Sequence, residues 1–492
     1  MSARSANHHA LAESRSVGND RELQTLAPRA PRRLSLSLED VSVYLQRPPI
    51  HFLWGPARVG RRSRSNLLHR LSRIRVERLR TVGMYTTVED DKAQPVNGSR
   101  QREVIVVGAS AAGLFAAANV ARGGRPVRVL ESKPRLEPAA RTLIVTDHFR
   151  SQMAVVAQQS VINEIRRFEL FTDGRSAQIA LKKPDLIIER SRLIAALARD
   201  ARQAGASLCF DSRFLGVGPN ERGLRLDIES GGKREELHAD SVVGADGAAS
   251  RVARAAGWPP VDTVPLVQAI VRLPRDCRPD TTRVWFVPDD TPYFYWLIPE
   301  SAERAALGVI GEHGRDTKRC FENFLDKKKL QPLEWQGARI PVYRGWVPVR
   351  RQIGKGEVYL VGDAAAQVKV STVGGIVTGF RGALGVARAL LNQSSEEELS
   401  ALRRELVTHW MIRRALHHFA QKDYSQLLDL LDFSARESLG EIHRDESTRL
   451  VWNLVRRQPR LLLLGLRGLL MGNRIRNRGT LSPPGLGPNC PS

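Results

Sequence analysis

The stretch EVIVVGASAAG, Glu103 to Gly113, decides how the rest of the chain is read. Val104 to Val107 form a β-branched apolar run, the pattern of a parallel strand buried on both faces. Gly108 and Gly113 then bracket a turn of small residues, and an Ala-rich helix runs to about Arg122. A dinucleotide fingerprint uses its first Gly for the turn, its middle one for backbone approach to a pyrophosphate, and its last for close helix–strand packing. Ser110 holds the middle place here, and Ala111 follows it. An ordinary tight strand–helix turn would look much the same. What strengthens the nucleotide reading is the second strand, Val127–Leu130, which ends in Glu131 and Ser132, with Glu131 lying 23 residues after Gly108. A carboxylate there accepts both ribose hydroxyls and repels a 2′-phosphate, so the unit predicts FAD or NAD rather than NADP.

Two later motifs choose between these. VVGADGAASRVAR (Val242–Arg254) places Asp246 and Gly247 after a strand, and VYLVGDAAAQ (Val358–Gln367) places Gly362 and Asp363 likewise. Asp246 follows Gly108 by 138 residues, and Asp363 follows Asp246 by 117. In this order the chain resembles the FAD-dependent hydroxylase/reductase superfamily, the para-hydroxybenzoate hydroxylase-like flavoproteins, over roughly residues 103–391. The resemblance implies an α/β fold: a split Rossmann-type FAD-binding domain, an antiparallel β-sheet substrate domain and a C-terminal helical region. It assigns Gly108, Ser110, Ala111, Gly113, Glu131 and Ser132 to the adenosine diphosphate half of FAD. Asp246 and Gly247 take the place near the pyrophosphate, and Gly362 and Asp363 that of the ribityl contact. Arg141 and Arg190 match positions usually Arg near the pyrophosphate or ribityl chain, although Arg190 also reads as a helix-start charge. Gly374 and Gly375 open a helix whose amides face the pyrimidine edge of the flavin.

GDAAAQVKVSTVGGI (Gly362–Ile376) also points to a branch. Aromatic hydroxylases read GDAAH, then Pro, then Gly-x-Gly-x-Asn. This chain looks more like the geranylgeranyl reductases, with Val368-Lys369, Thr372 and Gly374-Gly375-Ile376 in matching places. Val370 stands where that branch has Pro, and Val373 where it has the first of three glycines. In YFYWLIP (Tyr293–Pro299), Trp296 and Pro299 suit reductases and flavin halogenases alike, Ile298 suits the halogenases, and Phe294 suits neither. Phe294 and Trp296 are the substrate-pocket candidates; the run also reads as an ordinary buried strand. The nearest candidates for a halogenase lysine are Lys182 and Lys183, a pair that also reads as solvated. Residues 133–153 hold no Cys for the protonation role found in some reductases.

Net charge is +24, but residues 1–83 carry 16 Arg and only six acids, so a nucleic-acid partner is not expected for the remainder. Four cysteines without metal-like spacing imply a reducing compartment and no metal site. No apolar run is long enough to span a bilayer. Met84 is a candidate internal start. The expected organisation is a disordered Arg-rich extension (1–100), a discontinuous FAD domain (101–190, 236–258, 340–393) and a substrate sheet (259–339). A helical region (394–475) and a disordered tail (476–492) complete it. Leu blocks alternating with Arg over 459–478 read as either a packed amphipathic helix or an interfacial one, giving a cytoplasmic protein with peripheral membrane contact.

The expectation is therefore an FAD enzyme reducing C=C bonds of an isoprenoid or similar small apolar substrate. NAD(P)H or a reduced redox protein would act as transient donor. An O₂-using monooxygenase or halogenase, and a flavin-binding, membrane-docked protein without turnover, remain open alternatives.

Overall fold

The computed structural model describes residues 103–137 and 140–478. The expected extension, 1–100, and residues 479–492 of the expected tail lie outside them.

Five parallel strands build the first sheet, with one antiparallel strand at its edge. Its order is Arg350–Ile353, Gly356–Leu360, Ser241–Gly244, Val104–Val107, Val127–Leu130, Ser207–Cys209. All four residues of Val104–Val107 are buried, as a strand covered by helices on both faces requires. Register does the functional work. Val107 lies level with both Leu130 and Gly244, and Gly244 lies level with Leu360. Four strands thus end at one edge, and the turns at Gly108, Glu131, Ala245-Asp246 and Val361-Gly362 emerge together. Motifs more than a hundred residues apart are neighbours because parallel strands share a carboxyl edge.

The first helix, Ala111–Arg122, covers one face and packs on the helix Ile376–Leu390, with Phe115 and Phe380 at 4.7 Å between ring centroids. Alanines at 116, 117 and 118, all fully buried, let the two helices and the sheet approach closely.

The second sheet has eight strands, in the order Pro332–Pro341, Thr263–Arg272, Arg304–Ile310, Tyr295–Pro299, Thr281–Trp285, Val161–Thr172, Arg175–Glu189, Thr142–Val145. Its pairs are antiparallel except Thr281–Trp285 with Val161–Thr172. This corrects the expected boundaries. The substrate sheet is not confined to 259–339: three strands from within the segment 101–190 complete it. The hairpin turning at Asp173-Gly174 was legible, but its pairing partner at Thr281–Trp285 lies over a hundred residues away. A small three-stranded sheet, Ser212–Pro219, Leu224–Ser230 and Lys233–Ala239, stands apart.

Five helices follow: Glu396–Leu416, Gln421–Leu430, Phe433–Glu441, Ser447–Arg457 and Arg460–Arg478. The last runs past residue 475, so the first residues assigned to a disordered tail are helical instead.

Gly113 sits where helix and strands meet. A Cβ there would lie 2.4 Å from Gly108 O and 2.8 Å from Ala245 Cβ. Gly113→Val should destabilise the fold by about 1–3 kcal/mol through overpacking, read as a lowered urea midpoint with unchanged slope. An unchanged midpoint would contradict this packing.

Candidate functional site

The shared carboxyl edge positions the predicted residues. Gly108 turns the chain with φ +102°, and a Cβ on it would lie 2.7 Å from Ala245 O. Ser110, the departure from the glycine pattern, caps the first helix: its Oγ accepts the Gly113 N–H at 3.2 Å. Ala111 opens that helix, whose first amides face the turn. Glu131 reaches back over the turn, with Oε2 accepting the Ala109 N–H at 3.0 Å and Oε1 the Lys133 N–H at 3.1 Å. The Ser132 hydroxyl donates to the same Oε1 at 3.3 Å. Strand, turn, helix and acid therefore form one bonded unit.

Asp246 is used differently from the expectation. Its Oδ1 accepts the Ser250 hydroxyl at 2.5 Å, and its Oδ2 accepts the Arg251 and Val252 amides at 2.7 and 3.2 Å. Both oxygens are thus committed to folding their own loop into the short helix Arg251–Ala255. Gly247, in the same loop, has open space around it.

Gly362 to Ala365 form a 3₁₀ turn lying against the start of the first helix; Gly362 has φ +64°, and a Cβ on it would come within 2.9 Å of Ala112 Cβ. This contact joins the two most distant motifs. Asp363 stands beside Arg141 and Arg190, close enough for their charges to act on it. Burial raises its carboxyl above the usual range, and the two guanidinium groups pull it back. It is enclosed by protein yet still touched by solvent, as the floor of a recess would be. Burial likewise lowers Arg141, Arg190 adds to this, and Asp363 opposes it. The Arg141 Nε is buried without a hydrogen-bond partner. Glu189 ties the two arginine-bearing segments together: its Oε1 accepts the Arg141 N–H at 3.3 Å and the Ser191 N–H at 3.0 Å, and the Arg190 N–H donates to Arg141 O at 3.0 Å. A buried orphan N–H, two cations, an acid and a glycine turn fit a group bearing both hydroxyls and phosphates.

The loop from Gln367 to Gly375 is held at both ends. Gln367 Oε1 accepts the Gly362 N–H at 2.7 Å, and the Thr378 hydroxyl donates to Gln367 O at 2.5 Å. Lys369 and Gly374 bridge each other, and Lys369 is buried in an ion pair with Asp445, which also accepts the Thr146 hydroxyl. Gly375 precedes the helix Ile376–Leu390 with no side-chain cap from the residue itself. The two departures in this loop point in opposite directions. Val370 packs with Tyr343, Leu402 and Leu406. Val373 joins Val368, Tyr293, Phe294, Trp296 and Ile298. Val373 has φ +55°, a left-handed backbone that a β-branched residue rarely adopts.

In the strand Tyr295–Pro299 the alternation splits the aromatic run. Tyr295 and Leu297 pack on the helix Thr317–Lys328 side, with Tyr295 stacked on Phe324. Phe294 and Trp296 lie on the opposite face, toward the loop. Trp296 Nε1 donates to Gln268 Oε1 at 3.3 Å. Lys182 and Lys183 are exposed, and Lys182 pairs with Glu441, so neither approaches this face. Sequence reasoning missed Gln367, Thr146, Asp445 and a Ser371–His409–Glu405 chain; the Lys369–Asp445 pairing spans 76 residues, and no local pattern signals it.

Residues 101–403, more than half the chain, match the FAD binding domain family. The chain belongs to that family. It is similar to digeranylgeranylglycerophospholipid reductase 1 of Methanothermobacter thermautotrophicus, 24% identical over 390 residues, covering 73% of this chain and 96% of that one. In fold it is similar to a geranylgeranyl bacteriochlorophyll reductase-like protein from Thermoplasma acidophilum, with TM-score 0.64, 20% identity, and coverage of 75% of this chain and 99% of that one. It is also similar to CmlS, a flavin-dependent halogenase, with TM-score 0.54, 14% identity, and coverage of 73% and 77%. The two structural likenesses establish the architecture: a parallel FAD-binding sheet, a curled antiparallel sheet and C-terminal helices.

Asp363→Ala leaves Arg141 and Arg190 without their acid. FAD should then bind about tenfold to a hundredfold more weakly, measured by fluorescence titration of the apoprotein. Circular dichroism should be unchanged. Wild-type affinity in this variant would remove Asp363 from the site.

Proposed function

We propose that this FAD-binding chain is an oxidoreductase that reduces C=C bonds in an isoprenoid or similar apolar chain. The observation that carries the reading is the facing pair of surfaces at the loop Val368–Gly375: one side of the loop packs on Phe294, Trp296, Tyr293 and Ile298, an aromatic and aliphatic wall. Such a wall excludes water and offers an alkene dispersion contacts without a charge to desolvate. The relationship to a digeranylgeranylglycerophospholipid reductase supports the same substrate class.

FAD, when bound and reduced, supplies hydride to an alkene. The chain's own residues supply position. Glu131 and the Gly108 turn would hold the adenosine half, Arg141 and Arg190 the phosphates, and Asp363 the ribityl hydroxyls, while the helix after Gly375 would face the pyrimidine edge. Phe294 and Trp296 would line the alkene. NAD(P)H or a reduced redox protein would act as a transient electron donor. Removal of Lys182 and Lys183 from the substrate face weakens the halogenase alternative at the one residue it needed.

The test is anaerobic. Flavin reduced by dithionite in the full chain should be reoxidised by a geranylgeranyl lipid without O₂, with a saturated product by mass spectrometry. Strictly O₂-dependent turnover, or flavin unresponsive to every alkene offered, would overturn the reading.

The C-terminal helices suit a peripheral membrane contact. From Ser447 to Arg478 the sequence has eight Arg and no acid. Leu462, Leu466 and Leu470 recur at helical spacing on an exposed face, with Leu463 at 66% and Trp452 at 63% exposure. No helix among the described residues is long and apolar enough to cross a membrane. An exposed apolar stripe on an Arg-rich helix pair is complementary to an anionic bilayer surface. The chain should cosediment with phosphatidylcholine–phosphatidylglycerol vesicles, and Trp452→Ser with Leu463→Ser should cut partitioning at least about tenfold. Self-association of the wild type without vesicles, abolished by the same substitutions, would assign the face to a second copy instead.

A further inference from the structure

A chain of hydrogen bonds outside the cofactor residues links the loop to solvent. Ser371 Oγ bonds His409 Nδ1, and His409 Nε2 bonds Glu405 Oε1 at 3.1 Å. His409 and Glu405 stand one turn apart on the helix Glu396–Leu416, and both are buried. Glu405 is fixed by the Ser447 amide, which donates to Oε1 at 2.8 Å. Beyond it lies a polar cavity of about 460 Å³, bordered by Glu405, Asp445, Arg404, Arg381, His148 and Glu446. At the other end, Ser371 sits between Val370, packed on the helices, and Val373, packed on the aromatic wall. The three groups therefore run from a cavity lined by charged side chains to a loop whose Val373 side is apolar.

Resting on the proposed alkene reduction, we propose that Ser371, His409 and Glu405 form a proton relay that delivers the second hydrogen of the reduction. Adding a hydride to one alkene carbon leaves the adjacent carbon in need of a proton. In the relay, the new C–H bond forms as the Ser371 O–H bond breaks. Glu405 takes a proton from solvent in the cavity and passes it to His409 Nε2 as His409 Nδ1 returns one to Ser371. The alkene gains two electrons with the hydride and one proton from solvent; Ser371 and Glu405 regain their starting forms, and His409 ends with its proton on Nε2, so its tautomer resets before the next turnover. Within one transfer the imidazole does not rotate, because a proton enters at one nitrogen and leaves at the other; proton exchange between turnovers restores the Nδ1 tautomer.

Charge around His409 favours this use. Burial lowers its basicity, the bond to Glu405 opposes that, Lys369 adds to the lowering, and Asp445 opposes it. A neutral imidazole flanked by a donor and an acceptor passes protons without becoming a buried cation. Ser371 is the group that meets substrate; His409 and Glu405 act through it.

The test uses the FAD-loaded full chain with geranylgeraniol, prereduced anaerobically in D₂O. Wild type should place deuterium on both former alkene carbons, because flavin reduced in D₂O also takes its hydrogen from solvent, and the deuterium delivered by the relay should lie on a single face of its carbon. Ser371→Ala and His409→Gln should slow alkene-driven flavin reoxidation by about 10²-fold, scramble that face and leave dithionite reduction unchanged. Ser371→Thr, which keeps a hydroxyl, should recover both rate and face. A second readout needs no turnover: ¹⁵N NMR of His409 should show its proton shared between ring nitrogens in wild type and fixed on one in Ser371→Ala. Unchanged reoxidation and unchanged deuterium stereochemistry in both relay variants would overturn the relay, as would a His409 tautomer indifferent to Ser371. If wild type is reoxidised by no alkene, the functional reading falls, while the NMR comparison still decides whether the three groups share a proton.

Discussion

The buried pair between Lys369 and Asp445 is the constraint on which the site depends. Both side chains are almost wholly removed from water. Such a pair adds little net stability over an apolar substitute, but stranding either partner costs on the order of 3–5 kcal/mol. Its worth is specificity: the loop that follows Asp363 has one place to be, beside an acid delivered by the C-terminal helices. Although burial opposes ionisation, Lys369, the Thr146 hydroxyl and Arg444 hold Asp445 well below the usual carboxylate range. Arg444 in turn pairs at 2.5 Å with Asp185, whose carboxyl burial pushes up. Loop, antiparallel sheet and terminal helices are thereby fastened by one charge cluster.

Parallel register does the complementary task at the other end of the site. Because Val107, Leu130, Gly244 and Leu360 finish level, the Gly108 turn and the Asp363 turn meet without any long connecting contact. The sheet fixes where a nucleotide would lie along the edge, and the ion pair fixes where the loop would meet its reactive end. Neither device alone defines a pocket that is polar on one side and apolar on the other.

What was legible in the sequence was local. The β-α-β unit showed because its period, small residues and acid all fall within thirty residues, and the two later motifs showed because each follows an apolar strand. The eight-stranded sheet was cut short because Val161–Thr172 pairs with Thr281–Trp285, and pairing at that separation leaves no period to read. Asp246 was placed but its use was not. Whether a carboxylate faces a ligand or caps its own helix depends on rotamer and turn geometry, and here the Ser250, Arg251 and Val252 donors claim it. His409 and Glu405 have ordinary amphipathic-helix spacing, so only their meeting with Ser371 marks them.

Val370 and Val373 show how packing holds a loop that has neither Pro nor Gly at these two places. Proline would restrict φ at the first position, and glycine would permit a left-handed turn at the second. Here Val373 takes that left-handed conformation regardless. Strain of this kind costs on the order of 1–3 kcal/mol and persists only where the surroundings over-determine it. The surroundings are visible: the Lys369–Gly374 bridge and a 2.6 Å bond from the Val373 N–H to Lys369 O close the loop from within. Val370 is gripped by Tyr343, Leu402 and Leu406, and the Val373 side chain fills space against Trp296. Packing therefore replaces backbone preference as the source of the geometry. The valines repack the loop, and the side chain at 373 adds to the apolar cluster around Trp296.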